Sequence, residues 1–144
     1  MGGRETGSAP APGPARPRVL LAEDNAAMRR TLRELLEDEG LVVVGEAADG
    51  VEAVEQAEAL RPDLILMDLR MPRMDGIEAT GLVKRTVPGV RVLMLSAYAD
   101  PSLSERAVAV GADGYIVKGT SYQALVDEIE RVTAQRPRPA PAGA

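Results

Sequence analysis

The sequence predicts a doubly wound α/β domain built on a five-stranded parallel sheet. Three observations predict it. Strand-like and helix-like stretches alternate five times between residues 18 and 134, and right-handed crossovers place such helices on both faces of a parallel sheet. The stretch Leu64 to Met67 is apolar at every position, as a strand buried on both faces requires. Polar residues stand at the carboxyl ends of the strand-like runs, the edge at which open α/β sheets bind ligands.

The first strand is Arg18 to Ala22, which runs into Glu23-Asp24-Asn25. A helix from Ala26 to Glu39 follows, with Met28, Leu32, Leu35 and Leu36 at helical spacing and Gly40 placed to end it in a left-handed turn. Val-rich Leu41 to Ala47 is the second strand, and Val51, Val54, Ala57 and Leu60 define the second helix, stopped at Arg61-Pro62. The third strand ends at Asp68. After it Met71-Pro72 fixes the loop's path, and Asp75 with Glu78 three residues on reads as a helix cap. The third helix spans Ile77 to Val87, Pro88-Gly89 breaks it, and Val90 to Leu95 is a fourth strand ending at Ser96. Asp100-Pro101 starts a fourth helix reaching Val110, Ala-rich and weakly amphipathic, and so the helix best suited to shift. Gly114 to Val117 is the fifth strand, ending at Lys118. Thr120 and Gln123 fit a capping box for the last helix, whose inner face is Tyr122, Leu125, Ile129 and Val132. Five strands in this pattern suit the flavodoxin-like order 2-1-3-4-5, for which the chemotaxis regulator is the standard example.

Residues 1–17 and 135–144 are Pro-, Ala- and Gly-rich with few large apolar side chains, so both are expected to be disordered tails, the second also the start of a linker. Residues 18–134 form one domain, large enough for a core without a disulfide or metal staple. The chain has no Cys and no His. Thiol catalysis and Cys-ligated metals are excluded, and any imidazole the chemistry needs must come from a partner. A net charge of -5 argues against a nucleic-acid-binding surface. No apolar run approaches the roughly 20 residues of a membrane span, and no signal pattern precedes the domain, so a cytoplasmic location is expected.

On this skeleton the polar residues converge. Glu23, Asp24 and Asp68 meet at one sheet edge with Ser96 and Lys118. Three carboxylates together repel unless a cation lies among them. Mg²⁺, which takes one or two carboxylates plus water and phosphate oxygens, suits Asp24, Asp68 and Glu23, with a loop carbonyl at Arg70 as a further ligand. Phosphoryl transfer would then use Asp68 as nucleophile, Mg²⁺ and Lys118 to neutralise the phosphoryl oxygens, and the Ser96 hydroxyl as a hydrogen-bond donor. Taken singly, Asp68 reads as a turn cap, Lys118 as a solvated surface residue and Ser96 as a loop cap; their shared edge favours function. Gly45 to Gly50 has the glycine spacing of half a P-loop, but Val51-Glu52 replace the Lys-Ser/Thr pair. No GxGxxG follows a strand, so a dinucleotide site is unsupported.

From about Arg18 to Val132 the chain resembles the receiver domain of two-component response regulators, through LLAEDN, LILMDLRMPRMDG, VLMLSAY and GADGYIVKG. The resemblance implies that Asp68 is the phosphoacceptor, Glu23 and Asp24 the metal-binding acidic pair, Ser96 the switch hydroxyl, Tyr115 the switch aromatic and Lys118 the phosphate-binding Lys. It also implies a sensor histidine kinase as partner, and a surface of helix four, strand five and helix five that homodimerises or docks a target. As an isolated feature Tyr115 packs equally well as an ordinary strand residue. Many receivers carry Pro after the Lys; Gly119 stands here, as in the subfamily with a LuxR-type helix-turn-helix output domain. Arg70 and Tyr98 occupy positions that influence dephosphorylation in this family. The Lys-Gly turn and Pro-rich tail favour part of a transcriptional regulator over a stand-alone receiver acting through protein contacts. The enzyme alternative, a haloacid-dehalogenase-like phosphatase, resembles a DxD pattern, but Arg70 occupies its second acidic position.

Overall fold

In the computed structural model, which describes residues 16–141, the strand ending in Asp68 lies at the centre of the sheet. This is β3, Leu64–Asp68, buried at all five positions. Around it the chain runs β1 (Arg18–Ala22), α1 (Ala26–Asp38), β2 (Val42–Ala47), α2 (Gly50–Leu60), β3, α3 (Gly76–Thr86), β4 (Arg91–Ser96), α4 (Pro101–Ala109), β5 (Gly114–Val117) and α5 (Tyr122–Ala134). All pairings are parallel, in the order β2-β1-β3-β4-β5. This is the flavodoxin-like fold and strand order that the sequence predicts.

Alternation along the strands divides the core into two layers. Leu20, Ala22, Ile65, Met67, Val92 and Met94 face one way, onto Ala53 and Ala57 of α2, Ile77, Ala79 and Val83 of α3, and Ala107 of α4. Val19, Leu21, Leu64, Leu66, Leu93 and Leu95 face the other way, onto Leu32 and Leu36 of α1 and Leu125, Ile129 and Val132 of α5. With no Phe or Trp in the chain, aliphatic side chains supply nearly all of this burial, each worth about 1.5–3 kcal/mol.

Each helix starts on a side-chain cap. Asn25, Asp49, Asp75, Asp100 and Ser121 accept from the amides of Met28, Glu52, Glu78, Ser102 and Ala124 respectively. The Asp75 and Asp100 caps agree with the sequence. The α5 cap does not: Ser121 holds the N-cap position, while Thr120 donates its hydroxyl to Val117 O at 3.1 Å. Either hydroxyl satisfies the preference for Ser or Thr at a cap, and the turn after β5 decides between them. Gly40 has φ +85, in the left-handed region its place at the end of α1 predicts. Gly119 has φ +91, a value closed to Pro, so the Lys-Gly turn is a different turn from Lys-Pro.

In α4 only Ala107 is buried, as its weak apolar stripe predicts. Of the expected tails, residues 1–15 and 142–144 lie outside the described residues. Residues 136–141 have no regular secondary structure but make specific contacts with the domain. Among the described residues, no helix is long and apolar enough to cross a membrane.

Candidate functional site

Parallel pairing brings the chemistry to one edge. β1 and β3 are neighbours, with Ala22 opposite Met67, so the residues just beyond them, Glu23-Asp24 and Asp68, emerge together. β3 pairs with β4 and β4 with β5, which carries Ser96 and Lys118 to the same rim; the Lys118 amide donates to Ser96 O at 2.6 Å.

Three of these residues form a tight ionic cluster. The Lys118 ammonium lies 2.8 Å from Glu23 Oε1 and 3.1 Å from Asp68 Oδ1. Glu23 is 1% exposed and Asp68 4%, while the Lys118 side chain retains 23% exposure. Burial, then the Glu23 charge, pushes the Asp68 carboxyl up to about 7 against the opposing pull of Lys118. Burial also works against the Lys118 ammonium, but Glu23 and Asp68 together outweigh it and hold that group above its usual value. The site therefore carries more negative charge than its single cation balances.

Asp24 adds a third carboxylate at the solvent-facing side. One carboxylate oxygen each from Glu23, Asp24 and Asp68 lies within 4.8 Å of the others, a spacing able to hold a metal ion. Glu23 Oε2 accepts from the Asn25 amide at 3.0 Å, but its buried Oε1 has the ammonium close by and, among the described residues, no aligned hydrogen-bond donor. Hard oxygen donors, surplus negative charge and an incompletely satisfied buried oxygen fit a small divalent cation. The backbone behind them is fixed: the Glu23 amide donates to Ala47 O at 3.0 Å and the Arg29 guanidinium to Glu23 O at 2.6 Å. Gly76 approaches the β3 backbone so closely that a Cβ there would lie 2.2 Å from Asp68 O.

Ser96 and Tyr115 are brought together with each other rather than onto the carboxylates. The fully buried Ser96 hydroxyl donates to Tyr98 O at 3.1 Å and accepts from the Tyr98 amide at 3.0 Å. The Tyr115 hydroxyl donates to the same Tyr98 O at 3.0 Å. Arg70, two residues past Asp68, places its guanidinium 5.2 Å from the centre of the Tyr98 ring. Tyr98 is thus the node of the loop between β4 and α4. The sequence singles it out through the receiver resemblance, two residues past Ser96; that its carbonyl serves two hydroxyls depends on tertiary placement.

Fold and site together define a flavodoxin-like α/β domain with an acidic pocket and a Lys at the carboxyl edge of its parallel sheet. The family model for the response regulator receiver domain matches residues 19–130. Transcriptional regulatory protein PdtaR of Mycobacterium tuberculosis is 48% identical over 115 residues, which cover 78% of this chain and 55% of PdtaR. A solved two-component response regulator of the LuxR family from an Aurantimonas species superposes with a TM-score of 0.81 at 33% identity, covering 88% of this chain and 91% of that one. A chain of the CheX-CheY-BeF3-Mg complex from Borrelia burgdorferi superposes with a TM-score of 0.78 at 28% identity, covering 82% and 90%. The chain belongs to the response regulator receiver domain family, and is the receiver domain of a two-component response regulator. It spans about half the length of the curated relatives it matches.

Proposed function

We propose that this receiver is a phosphorylation-controlled switch in which Asp68 accepts a phosphoryl group from a phosphohistidine of a partner sensor kinase. The observation that carries the reading is a buried carboxylate at the sheet edge, 3.1 Å from a Lys ammonium and within 4.8 Å of two further acidic groups. An Asp68 carboxylate oxygen attacks phosphorus, the P–N bond of the donor breaks, and the imidazole leaves with the bonding pair. Because the chain has no His, it cannot supply that donor itself.

Glu23, Asp24, Asp68 and the main-chain carbonyl of Arg70 would hold Mg²⁺, which when bound neutralises charge on the phosphoryl oxygens and relieves the repulsion among the carboxylates. Lys118 is already placed to accompany the transferred group with its ammonium. The Ser96 hydroxyl, now bonded to Tyr98 O, turns to donate to a phosphoryl oxygen. Ser96 thereby leaves Tyr98 O, Tyr115 breaks its own bond to that carbonyl and turns inward, and the surface of α4, β5 and α5 changes for homodimerisation or docking of a target. The domain acts as a signalling element that catalyses only its own phosphorylation and dephosphorylation, in the cytoplasm. The PdtaR and LuxR-family likenesses favour a transcriptional output carried by a further domain, with this domain itself binding no nucleic acid.

Acetyl phosphate with Mg²⁺ should add one phosphoryl mass to the protein, and borohydride reduction of the acyl phosphate, which releases phosphate and leaves homoserine, should place it at Asp68. Undiminished labelling of Asp68→Asn, or labelling indifferent to chelation of Mg²⁺, would overturn this reading.

A further inference from the structure

Past the end of α5 the backbone is gripped at successive points along the amino-edge side of the domain. The Arg91 guanidinium donates to Gln135 O through Nε at 2.9 Å and Nη2 at 2.6 Å. Three residues on, the Arg138 amide donates to Asp113 Oδ1 at 2.6 Å, and Arg138 O accepts from Lys84 Nζ at 2.9 Å. One peptide segment thus presents a donor and an acceptor to two side chains that are themselves paired.

That pair is built into the interior. Lys84 on α3 and Asp113 before β5 meet at 2.7 Å, with side chains 2% and 5% exposed. Lys84 Nζ also donates to Val90 O at 2.8 Å, and Asp113 Oδ2 also accepts from the Val92 amide at 2.8 Å. An ammonium has three N–H groups. Two find acceptors in the body of the domain, Asp113 and Val90 O, and the third finds one in Arg138 O. Burial lowers the Lys84 pKa and Asp113 opposes that effect, so an unfilled donor on this group would be unfavourable. Asp113 Oδ1 has the Arg138 amide as its matching donor.

The same segment lies against the end of α4. The Arg138 guanidinium reaches Val108 O at 3.4 Å, and Pro139 O lies 3.1 Å from where a Cβ on Gly111 would stand. Gly111 has φ +104, so a side chain there would be both strained and crowded. With Ala107 the one fully buried residue of α4 and Val110 only partly buried, this contact adds to what holds that end of the helix.

We infer that residues 135–139 are a strap, docked through their main chain onto the Lys84–Asp113 pair, that tethers the end of α4 and fixes where the chain leaves the domain. Main-chain recognition explains why a segment of Gln, Arg and Pro, without large apolar anchors, is held. It also sets a rule: docking at position 138 rests on its N–H, to which the side chain adds only the longer contact with Val108 O.

The test is ¹⁵N relaxation and amide exchange on the full chain without phosphodonor or metal, so its outcome is independent of any role of Asp68. In the wild type the Arg138 amide should exchange at least about tenfold more slowly than in an unstructured peptide, and the Ala140 amide should be as rigid as those of α5. Arg138→Ala keeps the N–H and should preserve both. Arg138→Pro removes the donor and should free Ala140 and speed exchange of the Val110 and Ala112 amides at least about threefold. A wild-type Ala140 as mobile as a free peptide, or identical behaviour of the Ala and Pro variants, would overturn the strap.

Discussion

The Asp68 carboxyl is held near neutrality by its surroundings, and that sets the first prediction. Its pKa is about 7 in the fold against an ordinary value of 3.8. Between those values the folded protein keeps a proton that the unfolded chain has lost. Stability therefore falls as pH rises through this window, and the full penalty applies above about pH 7. Asp68→Asn removes it. In metal-free buffer the variant should melt about 5 °C above wild type at pH 8, a gain on the order of 2 kcal/mol, and match it near pH 4; a constant difference across the range would contradict this origin. Lys118→Ala should slow phosphorylation by acetyl phosphate by at least about tenfold, because it removes the ammonium that lies between Glu23 and Asp68. At this scale the sequence was informative where residues end strands. Glu23, Asp24, Asp68 and Lys118 meet as their positions imply, since parallel strands deliver their ends to one rim. It was silent on Lys84, which reads as a surface helix Lys. The available signal was its place at i+7 from Ile77 and i+4 from Thr80 on the buried stripe of α3.

Between elements, the loop from β3 to α3 carries a tight constraint beside Asp68. A Cβ on Gly76 would sit 2.2 Å from Asp68 O, closer than any backbone tolerates without moving. The Gly76 amide also donates to Leu69 O at 2.8 Å, so the loop cannot simply swing outward. Gly76→Ala should destabilise the fold by roughly 2 kcal/mol or more in urea unfolding, by overpacking against main chain, and should cut phosphorylation of Asp68 more than its stability alone explains. The helix caps offer a gentler comparison. Ser121→Ala should cost about 1 kcal/mol and Thr120→Ala distinctly less, since Ser121 caps α5 while Thr120 closes the turn before it. Equal losses would restore Thr120 as the cap. The misplacement by one residue has a plain cause: adjacent hydroxyls satisfy the same local preference, and only the left-handed Gly119 fixes which one faces the helix. Helix existence and order are legible because five apolar stripes with breakers between them leave few alternatives. The contacts of residues 135–139 are not, because they involve main chain and two partners far away in sequence.

For the molecule as a whole, the acidic pocket is a region where the fold gives up stability that a cation can restore. Five parallel strands place three carboxylates and one Lys at the rim, and the aliphatic layers on both faces hold them there. Any ion bound by the native pocket and not by the unfolded chain stabilises by RT ln(1 + c/Kd), with c its free concentration, about 2.7 kcal/mol at one hundred times its dissociation constant. Mg²⁺ should therefore raise the melting temperature of this receiver in a concentration-dependent way. The rise should be larger at pH 8 than at pH 6, because below about pH 7 the Asp68 carboxyl must first release its proton. Asp24→Asn isolates the cause. Asp24 is exposed and outside both core layers, so the variant should fold normally and melt close to wild type without metal, yet lose most of its response to Mg²⁺. If Asp24→Asn responded to Mg²⁺ as wild type does, the ion would be acting elsewhere on an acidic surface, and the three carboxylates would be a cost of the fold with no cation to offset it.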